Sequence, residues 1–352
     1  MKFTLPYTLM CTLLLAGCDT AFFRSAFNPY DMKVAGLSPT VRAMLDRGAL
    51  NCGVSTGVEG FSLPDQSGNW TGFDVDFCRA LAAVIFDDSE AVNYVPLGAS
   101  ERFSVLLNEE VDILSRNTTW TLTRDTLLGL GFAGITFYDG QGFMVPTNSR
   151  IQSAEDLQGA AICVLSGTTT ELNLADYFRE RGWHYEPVLY ETEEPMMRGF
   201  LSGRCVAMTA DQAKLFAMRS QSEHRDTMVV LPDTISKEPI GPVVRDEDQF
   251  WYDIVQWTLF ALLNAEELGV SSSNIDERLQ SDIPSVRRLL GQEANLASGL
   301  GLPNDWVVRA IRQVGNYDEI YERHLGRDGL GIERRLNHLW INGGLMYAPP
   351  MR

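Results

Sequence analysis

Residues 110–125, EVDILSRNTTWTLTRD, combine a short apolar strand, a polar turn and the start of a helix. The apolar run Val111 to Leu114 predicts the strand, and Thr123-Arg124-Asp125 is typical of a first helical turn. An Arg can hold a small carboxylate with two hydrogen bonds while nearby hydroxyl and backbone groups satisfy its other lone pairs. The stretch therefore indicates either a carboxylate site or a polar loop with a Thr cap and a solvated Arg.

The segments around this stretch predict an α/β unit. Apolar strands are predicted at 49–54, 94–97 and 111–114, and helices at 41–48, 73–85 and 99–108. Strands that alternate with helices predict a mostly parallel sheet with helices on both faces. Ligands of such sheets bind at the carboxyl ends of the strands, where residues 115–124 fall.

A second α/β pattern follows in the chain. Strands are predicted at 142–145, 160–164, 187–190 and 205–209, and helices from 153, from 169, at 195–201 and at 214–218. Thr168 and Glu171 have the spacing of a capping box, so a helix should begin between them. A helix start attracts anions, although simple capping explains the same residues. Asp211 follows another strand end and should open the last of these helices.

The C-terminal third is predicted to be helical, and two possible kinds of site are rejected. Its helices are expected at 250–268, 286–290, 304–314, 317–325 and 332–341. Residues 129–134, GLGFAG, match dinucleotide-binding spacing, but a helical turn precedes them and an extended segment follows, the reverse of what that motif needs. The four His residues are isolated, so we expect no metal site, no Ser-His-Asp arrangement and no cofactor.

Composition indicates a globular chain that does not bind nucleic acid. The 352 residues are 45% hydrophobic, enough for two cores. The formal net charge is −17, with 46 acidic against 29 basic residues. No basic face is available to neutralise phosphates, which excludes a general nucleic-acid binder.

The N-terminus predicts export. Residues 3–15 are apolar but too few for a membrane span, which needs about 20 residues. The run ends in Leu15-Ala16-Gly17-Cys18, which resembles the lipobox of bacterial lipoproteins, where the Cys becomes the lipidated first residue. An ordinary signal peptide is the alternative. Asp19 resembles a signal for retention on the inner membrane. We predict a signal peptide at 1–17, a tether at 18–37, and a periplasmic protein anchored to the inner membrane through Cys18.

The remaining mature cysteines predict two disulfides. They fall as two near pairs, one in each half of the chain, without the CxxC spacing of metal or redox sites. The periplasm permits disulfides, so we expect Cys52–Cys78 and Cys163–Cys205. Loops of these lengths would each add roughly 3–4 kcal/mol of stability in the chain-entropy model. Four buried free thiols are the alternative.

Several motifs resemble those of the polar amino-acid solute-binding proteins of ABC importers. They are GFDVD at 72–76, ERF at 101–103, TLTR at 121–124, SGTT at 166–169 and TADQ at 209–212. Three longer runs are similar to the general L-amino-acid-binding branch of that family, namely RNTTWTL at 116–122, ISKEP at 235–239 and MYAPP at 346–350. The likeness covers about residues 38–352.

This resemblance implies a two-lobe α/β clamshell, the type II periplasmic-binding-protein fold, with a helical C-terminal extension. Lobe one would comprise residues 38–137 plus 243–352, and lobe two residues 138–242. Two crossing segments would form the hinge between the lobes.

The resemblance also implies roles for individual residues. Arg124 is similar to the residue that holds the ligand α-carboxylate, and Asp211 to the partner of the α-ammonium. Arg102 falls where acidic-ligand relatives place an Arg near the ligand side chain. The other ligand contacts that we expect are Asn117, Thr119, Thr168 and Phe61.

The predicted function is capture of free L-amino acids for a membrane permease of the ABC type, by a chain that acts as a monomer. Basic-amino-acid binders are similar in carrying an aromatic and an acid where this chain has Val58 and Ser55, which favours broad or neutral-to-acidic ligands. A periplasmic dehydratase of cyclohexadienyl or arogenate type is the alternative. It would need a further cleft acid, for which Glu59 and Glu171 are candidates. A chemoreceptor ligand module is a third possibility, disfavoured because no signalling segment follows in the sequence.

Overall fold

Two five-stranded sheets form the centres of two lobes. A computed structural model describes residues 38–293 and 295–352, so the predictions for the signal peptide, tether and Cys18 lie outside the described residues. The first sheet has the strand order Val92–Pro96, Leu50–Val54, Ile113–Leu114, Val243–Arg245 and Leu130–Phe132. The second sheet has the order Glu186–Tyr190, Ala161–Leu165, Ala207–Asp211, Gln141–Pro146 and Met228–Val230.

Each sheet is mixed, whereas the sequence predicted a mostly parallel sheet for the first α/β unit. The first three strands of each order run parallel, and the fourth strand pairs antiparallel with both of its neighbours. In both lobes the antiparallel fourth strand, Val243–Arg245 or Gln141–Pro146, is the one that has just arrived from the other lobe. It enters along the hinge without a crossover helix, and a parallel pairing needs such a crossover.

The two segments that pass between the lobes pair with each other. Phe137–Asp139 and Glu238–Ile240 form an antiparallel two-stranded ribbon, which we call the hinge ribbon. The side chain of Asn337 fixes its outer strand, accepting from the Tyr138 N–H at 2.6 Å and donating to the Tyr138 carbonyl at 3.1 Å. The expected lobe boundaries at 137/138 and 242/243 lie in and just after this ribbon, and they remain a prediction.

The helices lie close to their predicted positions. Those of the first α/β unit are Pro39–Arg47, Phe73–Phe86, Arg102–Leu107 and Leu122–Leu127, and those of the second are Thr169–Glu180, Glu193–Leu201 and Gln212–Gln221. The C-terminal helices are Gln249–Glu267, Ile275–Arg278, Pro284–Leu289, Trp306–Gln313 and Tyr317–His324. Short 3-10 helices cover Ala154–Leu157, Arg225–Thr227 and Leu296–Leu300, and a small hairpin pairs Leu63–Pro64 with Trp70–Thr71.

The prediction of a helix at 332–341 is wrong. Only two 3-10 turns form there, Arg335–Asn337 and Trp340–Asn342. Arg335 has a φ of 44°, a left-handed conformation that an α-helix cannot contain. The buried Arg334 side chain holds the segment instead, with ion pairs to Glu266 and Asp318 that are both 2.8 Å long. Tertiary ion pairing thus overrides the helical pattern of this segment.

The C-terminal helices extend the core of lobe one. Helix Gln249–Glu267 buries nine of its residues, and its Trp251 ring is 1% exposed. The Trp251 indole donates to the Asp112 carbonyl at 2.9 Å, next to the strand that ends at the polar turn. This long helix therefore supports the strand from which the candidate site is built.

Both disulfides have the predicted partners. Cys52–Cys78 joins strand Leu50–Val54 to helix Phe73–Phe86, and Cys163–Cys205 joins strand Ala161–Leu165 to the loop just before strand Ala207–Asp211. Each bond lies within one lobe, so neither restrains the hinge ribbon. Among the described residues, no helix is long and apolar enough to cross a membrane.

Candidate ligand-binding site

A small polar cavity lies between the lobes. In lobe one its walls come from residues that follow strands Val92–Pro96 and Ile113–Leu114. In lobe two they come from the carboxyl ends of strands Ala161–Leu165 and Ala207–Asp211 and from the residues after them. The cavity volume is about 30 Å³, far below the roughly 300–1,000 Å³ of typical small-molecule pockets. A small-molecule ligand would therefore enter this cavity only if the two lobes moved apart.

Arg124 reaches the cavity from lobe one because a Thr cap places it in a helical first turn. The Thr121 hydroxyl accepts from the Arg124 N–H at 3.3 Å, and helix Leu122–Leu127 begins there. One guanidinium nitrogen donates to the Thr119 carbonyl at 2.8 Å, and the group lies 5.3 Å from the Phe103 ring centre. Burial lowers the pKa of Arg124, while Glu238 and Asp211 favour its charged form. The guanidinium is thus oriented and leaves further donors toward the cavity.

Two more arginines line the same wall. Arg102 donates to the Ala99 carbonyl at 2.8 Å and lies over the Phe103 ring at 4.5 Å. Arg102 and Arg116 are 3% and 4% exposed, and the Nε atom of each lacks a hydrogen-bond partner among the described residues. Burial, reinforced by Arg116 and Arg124, lowers the pKa of Arg102 well below its usual value. Lobe one thus presents three close guanidinium groups to the cleft.

Arg116 lines the cavity although the sequence did not single it out as a site residue. It stands in the polar turn beside Asn117, where an Arg is usually solvated. Burial lowers the pKa of Arg116, and the negative charges of Glu193 and Asp74 oppose this shift. Its place in the motif at 116–122 was the available signal, but the motif does not reveal burial.

Asp211 faces the cavity from lobe two with an incomplete set of hydrogen bonds. It ends strand Ala207–Asp211 and precedes helix Gln212–Gln221, yet its side chain makes no capping hydrogen bond. Its Oδ1 atom is buried and has no partner in the described part of the chain. Burial, then the nearby Glu238 carboxylate, raises the pKa of Asp211 to about 7, while Lys214, Arg124 and Arg102 oppose the shift. A buried carboxylate with a free oxygen is suited to an incoming ammonium group.

Asn117 also brings unsatisfied atoms to the cavity. Its φ is 42°, in the left-handed region, and both polar atoms of its side chain are buried without a partner within the described residues. Its backbone N–H hydrogen-bonds Asp74, whose pKa burial raises to about 7 despite the Arg116 charge. A side-chain amide with a free donor and a free acceptor can bind either charged end of a zwitterion.

The predicted hydroxyl contacts line the cavity but already have partners in the protein. The Thr119 hydroxyl donates to Glu238 Oε2 at 2.6 Å. The Thr168 hydroxyl accepts from the Glu171 N–H at 3.2 Å and donates to the Leu165 carbonyl at 2.7 Å. The Thr168 cap expected for helix Thr169–Glu180 is present. The Glu171 side chain accepts from the Gly167 N–H at 2.8 Å, one residue before the Thr168 N–H that a capping box would use. These hydroxyls therefore shape the cavity before any ligand contact.

Phe61 and Lys214 differ from the sequence expectation. Phe61 is not among the residues that line the cavity; it is 1% exposed and packs edge-on against Phe73 and Phe137, with ring centres 6.3 and 5.7 Å away, so its contact with a ligand stays a prediction. Lys214 lines the cavity and was not predicted. Its ammonium lies 2.9 Å from Glu193 and lowers the pKa of that carboxyl to about 2. The positive charge of Lys214 is thus already balanced.

Comparison with known proteins agrees with this architecture. The family model for bacterial extracellular solute-binding proteins, family 3, matches residues 50–274, more than half of the chain. The general L-amino acid-binding periplasmic protein AapJ of Rhizobium johnstonii is 50% identical over 321 residues, covering 90% of this chain and 94% of the relative. The glutamate/glutamine/aspartate/asparagine-binding protein BztA of Rhodobacter capsulatus is 44% identical over 335 residues, covering 95% and 99%.

A solved structure supports the fold over nearly the same range. A periplasmic binding protein of an ABC transporter from Brucella ovis, with glutathione bound, superposes with a TM-score of 0.86 at 51% identity, covering 88% of this chain and 98% of that one. The two lobes, the cleft between them and these matches lead to one conclusion. The chain belongs to family 3 of the bacterial extracellular solute-binding proteins.

Proposed function

We propose that this protein binds free L-amino acids in the periplasm and delivers them, as a monomer, to the membrane permease of an ABC importer. The observation that carries the proposal is the pair of opposite charges on the two walls of one cavity, Arg124 on lobe one and Asp211 on lobe two. A free α-amino acid carries one carboxylate and one ammonium, and burying either without a partner is costly. Because each lobe supplies one partner, binding favours closure of the lobes. The names of AapJ and BztA support this function.

We further propose a neutral-to-acidic ligand preference, set by Arg102 and Arg116. Both guanidinium groups are buried beside Arg124, and each has an unsatisfied Nε. The α-carboxylate of a ligand brings one negative charge to these three positively charged side chains. A ligand whose own side chain adds a carboxylate or an amide oxygen therefore gains further hydrogen bonds. The name of BztA, which includes glutamate and aspartate with their amides, supports this preference. Glutathione, bound by the Brucella ovis protein, also carries a free α-amino-acid group.

The dehydratase alternative has no support from the cleft geometry. The acids considered for it, Glu59 and Glu171, are not among the residues that line the cavity. The Glu171 carboxylate accepts from the Gly167 N–H in the helix cap. Binding without chemical conversion remains the proposal.

Membrane anchoring through Cys18 is a separate part of the proposal, supported by the lipobox-like Leu15-Ala16-Gly17-Cys18 alone. Fractionation of cells that express the full chain tests it. The wild-type protein should sediment with inner membranes, and Cys18→Ser should release it. A wild-type protein found wholly in the soluble periplasmic fraction contradicts the anchor and leaves the binding proposal untouched.

A thermal-shift panel of the common L- and D-amino acids, followed by calorimetry, tests the binding function. A ligand at 100 times its Kd should add about 2.7 kcal/mol to the stability of the folded state. Arg102→Ala should weaken glutamate and aspartate more than alanine or leucine, since only the former reach a second cation. A panel in which no amino acid stabilises the protein would overturn the proposal.

A further inference from the structure

The Glu238 carboxylate is the most completely hydrogen-bonded acid in the cleft region. It begins the second strand of the hinge ribbon and is 1% exposed. Its Oε2 accepts from the hydroxyls of Thr119 and Thr169, at 2.6 and 3.0 Å. Its Oε1 accepts from the Asn173 amide and the Ser236 hydroxyl, both at 2.6 Å. Four neutral donors thus surround one buried charge, and hydrogen bonds to a charged group are about twice as strong as neutral ones.

These four donors come from different bodies of the protein. Thr119 belongs to the polar turn of lobe one, and Ser236 precedes the hinge strand. Thr169 and Asn173 lie one turn apart in helix Thr169–Glu180 of lobe two. The negative charge therefore sits near the N-terminal turn of that helix, where the helix dipole favours it. A single side chain connects lobe one, the hinge ribbon and lobe two.

Opening of the cleft would break only some of these bonds. The backbone of lobe one holds the hinge strand directly, because the Trp120 N–H donates to the Pro239 carbonyl at 2.8 Å and Thr119 forms a β-bridge with Ile240. Glu238 is therefore held beside Thr119. Helix Thr169–Glu180 moves with lobe two, so separation of the lobes must break the bonds from Thr169 and Asn173.

We propose that Glu238 is a latch that holds the two lobes closed through Thr169 and Asn173, independently of what the ligand is. Its effect on affinity rests on the proposed amino-acid-binding function; its effect on lobe closure does not. Asn173 and Glu238 are not among the residues that line the cavity, so their bond touches only protein and shifts the open–closed equilibrium by the same amount for every ligand. Affinity should therefore depend on the latch, and the ranking of ligands should not.

Asn173→Ala is the sharpest test, since Asn173 donates to Glu238 and is not among the residues that line the cavity. Small-angle scattering of the ligand-free variant should give a larger radius of gyration than the wild type. Calorimetry with glutamate, glutamine and leucine should show one common loss of affinity, up to about 10-fold. Thr169→Val, which removes the other lobe-two donor, should enlarge the ligand-free protein in the same way; because Thr169 also lines the cavity, this variant is compared by scattering alone.

Leu172→Ala is the matched control, because Leu172 is the preceding residue of the same helix and is 66% exposed. It should leave both the radius and the affinities unchanged. Equal radii for the ligand-free wild type and both latch variants would overturn the proposal, as would a change in the ranking of the three ligands in Asn173→Ala. If the wild type binds none of the panel, the binding function fails while scattering still decides the latch.

Discussion

Two buried carboxylates on the same cleft have opposite surroundings. Asp211, at the end of a lobe-two strand, is 8% exposed and keeps one oxygen without a partner among the described residues. Glu238, in the hinge ribbon, is 1% exposed and accepts four hydrogen bonds. Native structures rarely leave buried polar atoms unsatisfied, so a free carboxylate oxygen on a residue that also lines the cavity is a candidate for function. The difference supports the proposal that Asp211 binds the ligand, whereas Glu238 is occupied by contacts within the protein.

Two positively charged residues of the cavity, Lys214 and Arg124, differ in the same way as the two carboxylates, since one is ion-paired and the other is not. Lys214 lines the cavity but is paired with Glu193 at 2.9 Å. Arg124 lines the same cavity, and its guanidinium makes its hydrogen bond within the described chain to a backbone carbonyl, not to an acid. The charge that remains available for a ligand carboxylate is therefore that of Arg124 and not that of Lys214.

The largest effect is expected from removing either unpaired charge. Loss of one partner from a buried, hydrogen-bonded charge pair costs about 2–5 kcal/mol, or roughly 30- to 4,000-fold in affinity. Arg124→Ala and Asp211→Asn should each weaken every amino-acid ligand by at least that lower bound. Calorimetry on the purified variants measures it. Lys214→Met is the comparison variant and should have the smaller effect; near wild-type affinity in Arg124→Ala or Asp211→Asn would remove that residue from the site.

A second effect concerns stability and should separate the two carboxylates. Glu238→Ala leaves four donors without their acceptor, which should lower the free energy of unfolding by about 3 kcal/mol. Urea denaturation of the ligand-free protein measures this change. An unchanged midpoint would mean that water satisfies these donors as well as Glu238 does, and the contrast with Asp211 would fail.

The smallest expected effect is a gain in folding stability, and its size depends on pH. The pKa of Asp211 is about 7 in the folded protein against an ordinary value of 3.8. The folded state thus binds the extra proton between these values, so this group lowers stability as pH rises from 3.8 to 7. Asp211→Asn removes the penalty and should stabilise the ligand-free protein at pH 8 by at least about 1 kcal/mol, and by less at pH 5. Urea midpoints at both pH values check this, and a loss of stability at pH 8 would contradict it.

Much of the fold could be predicted because its signals are local. Helix Phe73–Phe86 follows from apolar spacing, and the starts of helices Leu122–Leu127 and Thr169–Glu180 follow from Thr caps. The cysteine pairs followed from their spacing in an exported chain. The antiparallel fourth strands were missed because they depend on the path of the chain between lobes, and the helix expected at 332–341 was lost to the ion pairs of Arg334.

The sequence by itself determined the residue types available to the site and their order along the chain, including the polar turn at 115–119 and the acid at Asp211. Only the tertiary structure decided which of them stay unpaired. Thr119 and Glu238, for example, meet across 119 residues of sequence, and Lys214 finds its partner 21 residues away in another helix. Such pairing depends on how the two lobes meet at the hinge. Whether a buried charge has a partner within the protein or stays unpaired is therefore decided by long-range contacts, which no local sequence pattern encodes.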